Sequence, residues 1–319
     1  MKTFAAAAAF VLFASIATAQ TAYPNKPIRL VVPYSPGTGS DVLARTVAQN
    51  ITEKTGHTVI VENREGAGSL IGSLAVAKAA PDGYTIMIAA NTLVILPSQS
   101  ARPPYDPVKD FTPIVKVAAI PLVLSVTPSL KINSVKELIA YAKANPGKLS
   151  YGSSGPGPAV NEMELFKQAV GIEILEIPYK STAQAMTDLI GGQLPLFPAV
   201  GPLVIQHLQS GRAKGLAIFD TRRSPQMPEI PSMSEEVSAP GYVPSPVWYG
   251  FVAPAKTPPE IIAALSGWIQ NAMAAPEVRA KLVTLGAQIT SADSAQFAAE
   301  IRTEYEKSSA LSRKLGTVK

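Results

Sequence analysis

Ile28-Arg29-Leu30-Val31-Val32-Pro33-Tyr34-Ser35-Pro36-Gly37-Thr38-Gly39-Ser40-Asp41 is the stretch from which the fold is read. Residues 28–33 are an apolar, β-branched run of strand length, closed by a turn of Ser, Pro, Gly and Thr. From Asp41 to residue 54 the pattern changes to helical spacing, with Ala44, Val47, Ala48 and Ile51 on one stripe. Asp41 then falls in the first helical turn, where the macrodipole favours a carboxylate. The same order recurs. A strand is expected over 58–62, a turn through Asn63-Arg64-Glu65-Gly66-Ala67-Gly68-Ser69, and a helix carrying Leu70, Leu74 and Ala77. After Pro81-Asp82-Gly83 a third strand is expected over 84–89. Strands alternating with helices through short loops predict a mostly parallel sheet covered on both faces. Such sheets take ligands at the carboxyl ends of their strands.

A second α/β module follows, with strands expected over 121–126, 149–153, 172–177 and 214–219 and helices over 134–143 and 183–190. Residues 224–246, rich in Pro, Ser and Glu, read as a surface connection. Beyond it come a strand over 248–253, a helix opened by Pro258-Pro259-Glu260, and helices over 276–285 and 294–311. The chain thus crosses between modules near residues 120 and 230. The expected units are 20–120 plus 230–319, and 121–229: two doubly wound α/β domains joined by a two-crossing hinge.

The N-terminus sets the expected compartment. Lys2, the apolar run 5–16 and Ala17-Thr18-Ala19 have the form of a secretory signal over 1–19, with the mature chain starting at Gln20. A dozen apolar residues fall short of the roughly 20 that a membrane span needs. No Cys occurs in the 319 residues, which removes disulfides, thiol nucleophiles, thiolate metal sites and lipid attachment after the leader. At 47% hydrophobic and 16% charged residues the chain can build cores without covalent staples. The net charge of +5 is spread along the chain with no basic run interleaved with aromatics, so no nucleic acid is expected as a partner.

The two turns 35–41 and 66–69 share one design: small residues directly after a strand and directly before a helix. Either alone is compatible with an ordinary turn. Together they put backbone N–H groups and two helix N-termini at one place, a clamp for an anion that needs no basic side chain. Ser35, Gly37, Thr38, Gly39, Ser40, Asp41, Gly66, Ala67, Gly68 and Ser69 are therefore candidate ligand contacts. In the second module Ser153 and Ser154 end a strand with hydroxyl donors, and Lys180 follows another. Nucleotide binding is not expected, because Val42 stands where G-x-G-x-x-G needs its last Gly and no G-x-x-x-x-G-K-[ST] occurs. Gly152-Ser153-Ser154-Gly155 is not the G-x-S-x-G of a hydrolase, and His57 and His207 are 150 residues apart. No metal, cofactor or catalytic set is expected, and Glu162 and Glu164 read as a solvated helix edge.

Many ordered segments resemble the periplasmic substrate-binding proteins of tripartite tricarboxylate transporters, the Bug family. They include Lys26-Pro27-Ile28-Arg29-Leu30-Val31-Val32-Pro33-Tyr34, Val61-Glu62-Asn63-Arg64 with Gly66-Ala67-Gly68, and Ala79-Ala80-Pro81-Asp82-Gly83-Tyr84. Asp110-Phe111-Thr112-Pro113-Ile114, Tyr151-Gly152-Ser153-Ser154-Gly155, Pro178-Tyr179-Lys180 and Asp188-Leu189-Ile190-Gly191-Gly192-Gln193 continue the match. The resemblance implies a hinged, non-enzymatic, monomeric receptor with the type II periplasmic binding protein topology. It would deliver a small organic carboxylate to a membrane permease, its two glycine loops holding the carboxylate. Presentation of the ligand to a sensor kinase, or an enzymatic role on a carboxylate, are the alternatives. The chain departs from the family at Gly37-Thr38, where Gly-Gly is usual, and at Asn161, near a usual His-Leu pair. It also lacks acidic residues over 193–199. Without an acidic partner there, a ligand ammonium is not expected. Leu196, Phe197 and Pro198, with Ala199 beside them, are expected to face a ring or methylene chain, and Asn161 or Lys180 a second carboxylate. Dicarboxylates and aromatic acids are the leading ligand classes.

Overall fold

The computed structural model describes residues 23–316 apart from Ser154, Pro156 and Leu285, so the leader expected over 1–19 lies outside the described residues. Strands β1 (Ile28–Val32), β2 (Val59–Asn63) and β3 (Thr85–Ala90) are parallel neighbours. They alternate with helices α1 (Gly39–Thr55), α2 (Leu70–Ala77) and α3 (Thr92–Ser98). α1 begins where Thr38 accepts a hydrogen bond from the Asp41 N–H and ends at Gly56, whose left-handed φ of 73° closes the last turn. Strand β4 (Phe111–Ile120) follows, and much later β10 (Val247–Pro254) and β11 (Gln288–Ala292). The order across this six-stranded sheet is β11-β4-β10-β3-β1-β2. Ile28, Leu30 and Val32 pack on Leu43, Val47 and Ile51 of α1 and on Leu265 and Ile269 of α9 (Pro259–Ala274). Val31 faces the other way, into a cluster with Val76, Leu93 and, from α11 (Ser294–Leu315), Phe297 and Ile301. A strand buried on both faces explains why its sequence is a continuous apolar run. Gly250 on β10 is a packing requirement, since a Cβ there would stand 2.4 Å from the Phe297 ring.

The second sheet holds β5 (Leu122–Val126), β6 (Ser150–Ser153), β7 (Leu175–Pro178), β8 (Leu196–Val200) and β9 (Lys214–Ile218) in the order β7-β6-β8-β5-β9. Helices α4 (Val135–Ala144), α5 (Pro158–Val170), α6 (Thr182–Ile190) and α7 (Gly201–Gln209) cover it. The fold is thus the expected pair of α/β domains with sheets covered on both faces, but the sheets are mixed and not parallel throughout: β10 runs antiparallel to β3 and β4, β11 to β4, and β5 to β8 and β9. The strand expected over 172–177 is shorter. Ile172 and Ile174 are buried before it begins, and pairing starts with Leu175 opposite Ser150.

Pro121 alone separates β4 of the first sheet from β5 of the second. The return path differs from the expected surface connection. Met227 and Ile230 are buried in one core cluster of the second sheet, and Met233 of α8 (Met233–Glu236) and Val237 in the other. Apolar side chains at irregular spacing draw the segment inward although it has little regular structure. A boundary at residue 230 therefore falls inside a segment whose core contacts, through Tyr242, belong to the second sheet. Among the described residues no helix is long and apolar enough to cross a membrane.

Candidate functional site

The turn after β1 is built around Asp41. Its carboxylate, 3% exposed, accepts from the Gly37 N–H at 2.9 Å, Arg45 Nε at 3.1 Å and Asn63 Nδ2 at 2.8 Å. Burial alone would raise its pKa, but the donors of Arg45, Gly37 and Asn63 prevail and hold it below the usual carboxylate value. Expected as a ligand contact, Asp41 instead has its hydrogen bonds within the chain and fastens the first loop to the end of β2. Thr38 Oγ1 donates to the Ser35 carbonyl at 2.9 Å, and the Ser35 hydroxyl donates to Glu65. A Cβ at Gly39 would lie 3.3 Å from the Tyr249 hydroxyl, which also hydrogen-bonds buried Ser40.

The second loop is held in an uncommon conformation. Gly66, Ala67, Gly68 and Ser69 all have positive φ, at 131°, 47°, 68° and 94°. Glycine adopts this without a steric cost, whereas Ala67 and Ser69 do not, so the surrounding structure must enforce it. Part of that enforcement is a chain of hydroxyls: Ser69 Oγ donates to Thr92 Oγ1 at 3.0 Å, and Tyr34 Oη lies 2.7 Å from the same atom. The carboxyl ends of β1, β2 and β3 are thereby tied together. Burial raises the Tyr34 pKa and keeps the phenol neutral. The sequence alone does not single out Tyr34, Asn63, Asn91 or Thr92, and Tyr249 reads there as a residue packed in the hinge strand or core. The available signal was position: Asn91-Thr92 directly follows the third strand run, where α/β sheets bind ligands.

The candidates of the second sheet are dispersed. Ser153, 2% exposed, donates its hydroxyl to Glu176 and accepts the Gly155 N–H at 3.3 Å. Ser154 lies outside the described residues. Lys180 is exposed just beyond β7. Pro198 and Ala199 are buried within β8, opposite Leu124 and Val123. Leu196 and Phe197, expected to face a ligand, are 0% and 2% exposed in the cores on the two faces of that strand. A strand with neighbours on both sides and cover on both faces has no side left for a ligand.

Asn161 does not join the glycine loops. It lies with Glu162 on the wall of a cavity of about 760 Å³, bounded by β4, β11, α11, residues 220–223 and residues 243–246. None of residues 35–41 or 66–69 lines it. Glu162, expected at a solvated edge, is 4% exposed, and its recorded hydrogen bond is from the Ser245 N–H at 3.2 Å. Burial pushes its pKa up to about 8. Glu304 of α11, also on this wall, accepts from Asn91 Nδ2 at 2.8 Å and Trp248 Nε1 at 2.5 Å, and burial pushes it up to about 7.

A family profile described as "Tripartite tricarboxylate transporter family receptor" matches residues 43–317. The chain is 35% identical to Protein BugT of Bordetella pertussis over 312 residues, 96% of this chain and 95% of BugT. Among solved structures, a TctC solute-binding protein from Polaromonas superposes with a TM-score of 0.82 at 26% identity, covering 92% of this chain and 99% of that one. R. palustris Rpa4515 with adipate superposes with a TM-score of 0.73 at 31% identity, covering 92% and 98%. A fold of two crossed α/β units and a profile match over most of the length lead to one conclusion: the chain belongs to the receptor family of tripartite tricarboxylate transporters.

Proposed function

We propose that this receptor captures a small organic carboxylate, with aliphatic dicarboxylates the first candidates, between the loops 35–41 and 66–69 and the ends of β6 and β7. It then hands the solute to the membrane permease of a tripartite tricarboxylate transporter. The observation that carries the reading is the four-residue run of positive φ beside the N-terminus of α1. Both stand at the carboxyl ends of parallel strands, and Asp41 between them is already neutralised by donors of the chain. Such a place offers positive potential and backbone donors to an anion. Ser153, Ser154 and Lys180 supply the opposing groups. Adipate in a relative of 31% identity supports the ligand class. Burial of Leu196 and Phe197 removes the apolar wall expected to face a ring or methylene chain, so it does not choose between aromatic and aliphatic acids. Glu65 and Glu176 each accept a serine hydroxyl.

The protein works as a periplasmic monomer, exported through a leader over 1–19, its units hinging at Pro121 and at residues 243–246. A thermal-shift panel of dicarboxylates, tricarboxylates, aromatic acids and amino acids, followed by calorimetry, tests the ligand class. Stabilisation by dicarboxylates is expected, and stabilisation by amino acids alone overturns it. Mature protein recovered from the periplasm should begin at Gln20.

A further inference from the structure

The edge of the first sheet has a front and a rear. The ends of β2, β1 and β3 carry Asn63, Val32 and Ala90, beneath the glycine loops. Next come Val247 of β10 and Ile120 of β4, paired with each other, and then Gln288 of β11 opposite Ala119. The two crossings leave from the middle, after Ile120 and before Val247. A rotation of the second unit about those crossings that narrows the front must widen the rear, where the 760 Å³ cavity lies. One hydrogen bond spans the units there, from Gln288 Nε2 to Ser224 Oγ at 2.7 Å.

From this geometry we infer that Glu162 and Glu304 are positioning residues of the hinge: charging them opens the rear cavity and closes the front cleft, so carboxylate capture strengthens as pH rises. Glu162 comes from the second unit and Glu304 from the first, so a shared charge acts across the hinge. Around Glu162 stand the Ser245 N–H, Lys307, Asp220 and Glu304, with the Tyr242 hydroxyl buried and without a partner nearby. Around Glu304 stand Asn91, Trp248, Lys116 and Glu300. Two of the four cations on this wall are already paired. Lys116 is held by Glu300 at 2.6 Å and Arg223 by Glu235 at 2.7 Å, which leaves Arg222 and Lys307 on this wall. Two carboxylates formed in this space repel each other and demand water, and a wider rear supplies both separation and hydration. Asn91 transmits the change. It bonds Glu304, the Pro246 carbonyl at 3.3 Å and the Trp248 N–H at 3.0 Å, and it is adjacent in sequence to Thr92, which holds Tyr34 and Ser69.

The link to capture rests on the function proposed above, but the hinge movement is testable without any solute. Because the chain has no cysteine, Pro225→Cys and Ile289→Cys place two nitroxide labels on exposed residues of the two units, beside the Gln288–Ser224 hydrogen bond that joins them at the rear cavity. Dipolar broadening between them in the unliganded protein should fall as pH rises from 6 to 9, with its transition near pH 7–8. The transition should vanish in E162Q/E304Q and lose one of its two steps in either single variant. Gln is isosteric with the protonated acid, so a folded protein is expected in each case, checked by circular dichroism. Broadening that is flat with pH in the parent, or that changes identically in E162Q/E304Q, overturns the inference. Either result leaves the proposed carboxylate receptor standing.

Discussion

The front loops hold one carboxyl group drawn out of water, Asp41, and the rear cavity two, Glu162 and Glu304, and they treat them in opposite ways. Asp41 receives three donors, one of them the half-exposed Arg45 guanidinium, and stays charged. Glu162 receives a single backbone N–H and Glu304 two neutral donors, and both retain protons near neutrality. Burial penalises all three, so the number and charge of the donors decide the outcome. A site meant to attract an anion must first neutralise its own carboxylate. A hinge can exploit one left half-satisfied.

The sharpest test of the front is Gly68→Val. A β-branched residue at a φ of 68° is strained, and its Cβ would touch Leu96 at 3.4 Å. Affinity for the carboxylate selected by the panel should fall at least about a hundredfold, about 2.7 kcal/mol, while the circular dichroism of the fold is kept. Affinity near the parent value would reduce the loop to a turn.

The next contrast sets one neutralising substitution against another. Asp41→Asn removes the charge that pairs with Arg45 and replaces one of the two oxygens that accept from it by an amide donor among donors, and should destabilise by about 2 kcal/mol in urea at pH 7. Glu304→Gln also sets an amide against one of its two donors, Asn91 or Trp248, but it keeps the neutral state that the cavity already favours, so its loss should be smaller, about 1 kcal/mol at pH 6, and should shrink toward pH 9. Equal losses from both would dissolve the distinction between front and rear.

The pH dependence of stability follows with a definite sign. For Glu162 and Glu304 the folded pKa values of about 8 and 7 exceed the ordinary 4.5. Between those limits the native state binds protons that the unfolded chain has lost. Their contribution is full below pH 4.5 and is lost as pH rises through 7 and 8, at up to about 1.4 kcal/mol per pH unit for each retained proton. Asp41 acts in the other direction. Its folded pKa is depressed, so its contribution exists above 3.8 and disappears at lower pH. Urea titrations from pH 3 to 9 should therefore show maximum stability near pH 4, between the 3.8 of Asp41 and the 4.5 of the two glutamates, and E162Q/E304Q should flatten only the alkaline side. The smallest effect expected is from Thr38→Ala at the cap of α1, about 1 kcal/mol in the same assay.

How much of this was legible in the sequence depended on whether a residue's surroundings are local. β1, β2 and β3 were readable because apolar runs end in turns of Gly, Pro and Ser. β4 was not, since Pro113 and Lys116 interrupt its pattern, yet ten residues pair there because β10 and β11 flank them. α3 carries Pro97 inside its only turns, which hid it. In the site, the loops were readable from glycine spacing, but the partners that hold them were not. Asn63 and Thr92 meet Asp41 and Ser69 only after three strands align. Glu162 was misjudged for the same reason: its burial comes from residues 220–223, residues 243–246 and α11, all distant in sequence.

The position of β10 has a consequence for the order in which the protein can be assembled. It is an interior strand of the first sheet, between β3 and β4, yet it is made of residues 247–254. As the polypeptide is synthesised from its amino end, β1 to β4 emerge with a gap between β3 and β4, and Gly250 is not yet present to seat Phe297. The second sheet, contiguous from Leu122 to Ile218, has all its strands before β10 exists. Nascent chains shorter than about 250 residues therefore carry one completed unit and one open one, whose apolar strand edges wait on the carboxyl terminus. Non-local closure of this kind is slow. It leaves the first sheet without its interior strand until nearly the whole polypeptide has been made.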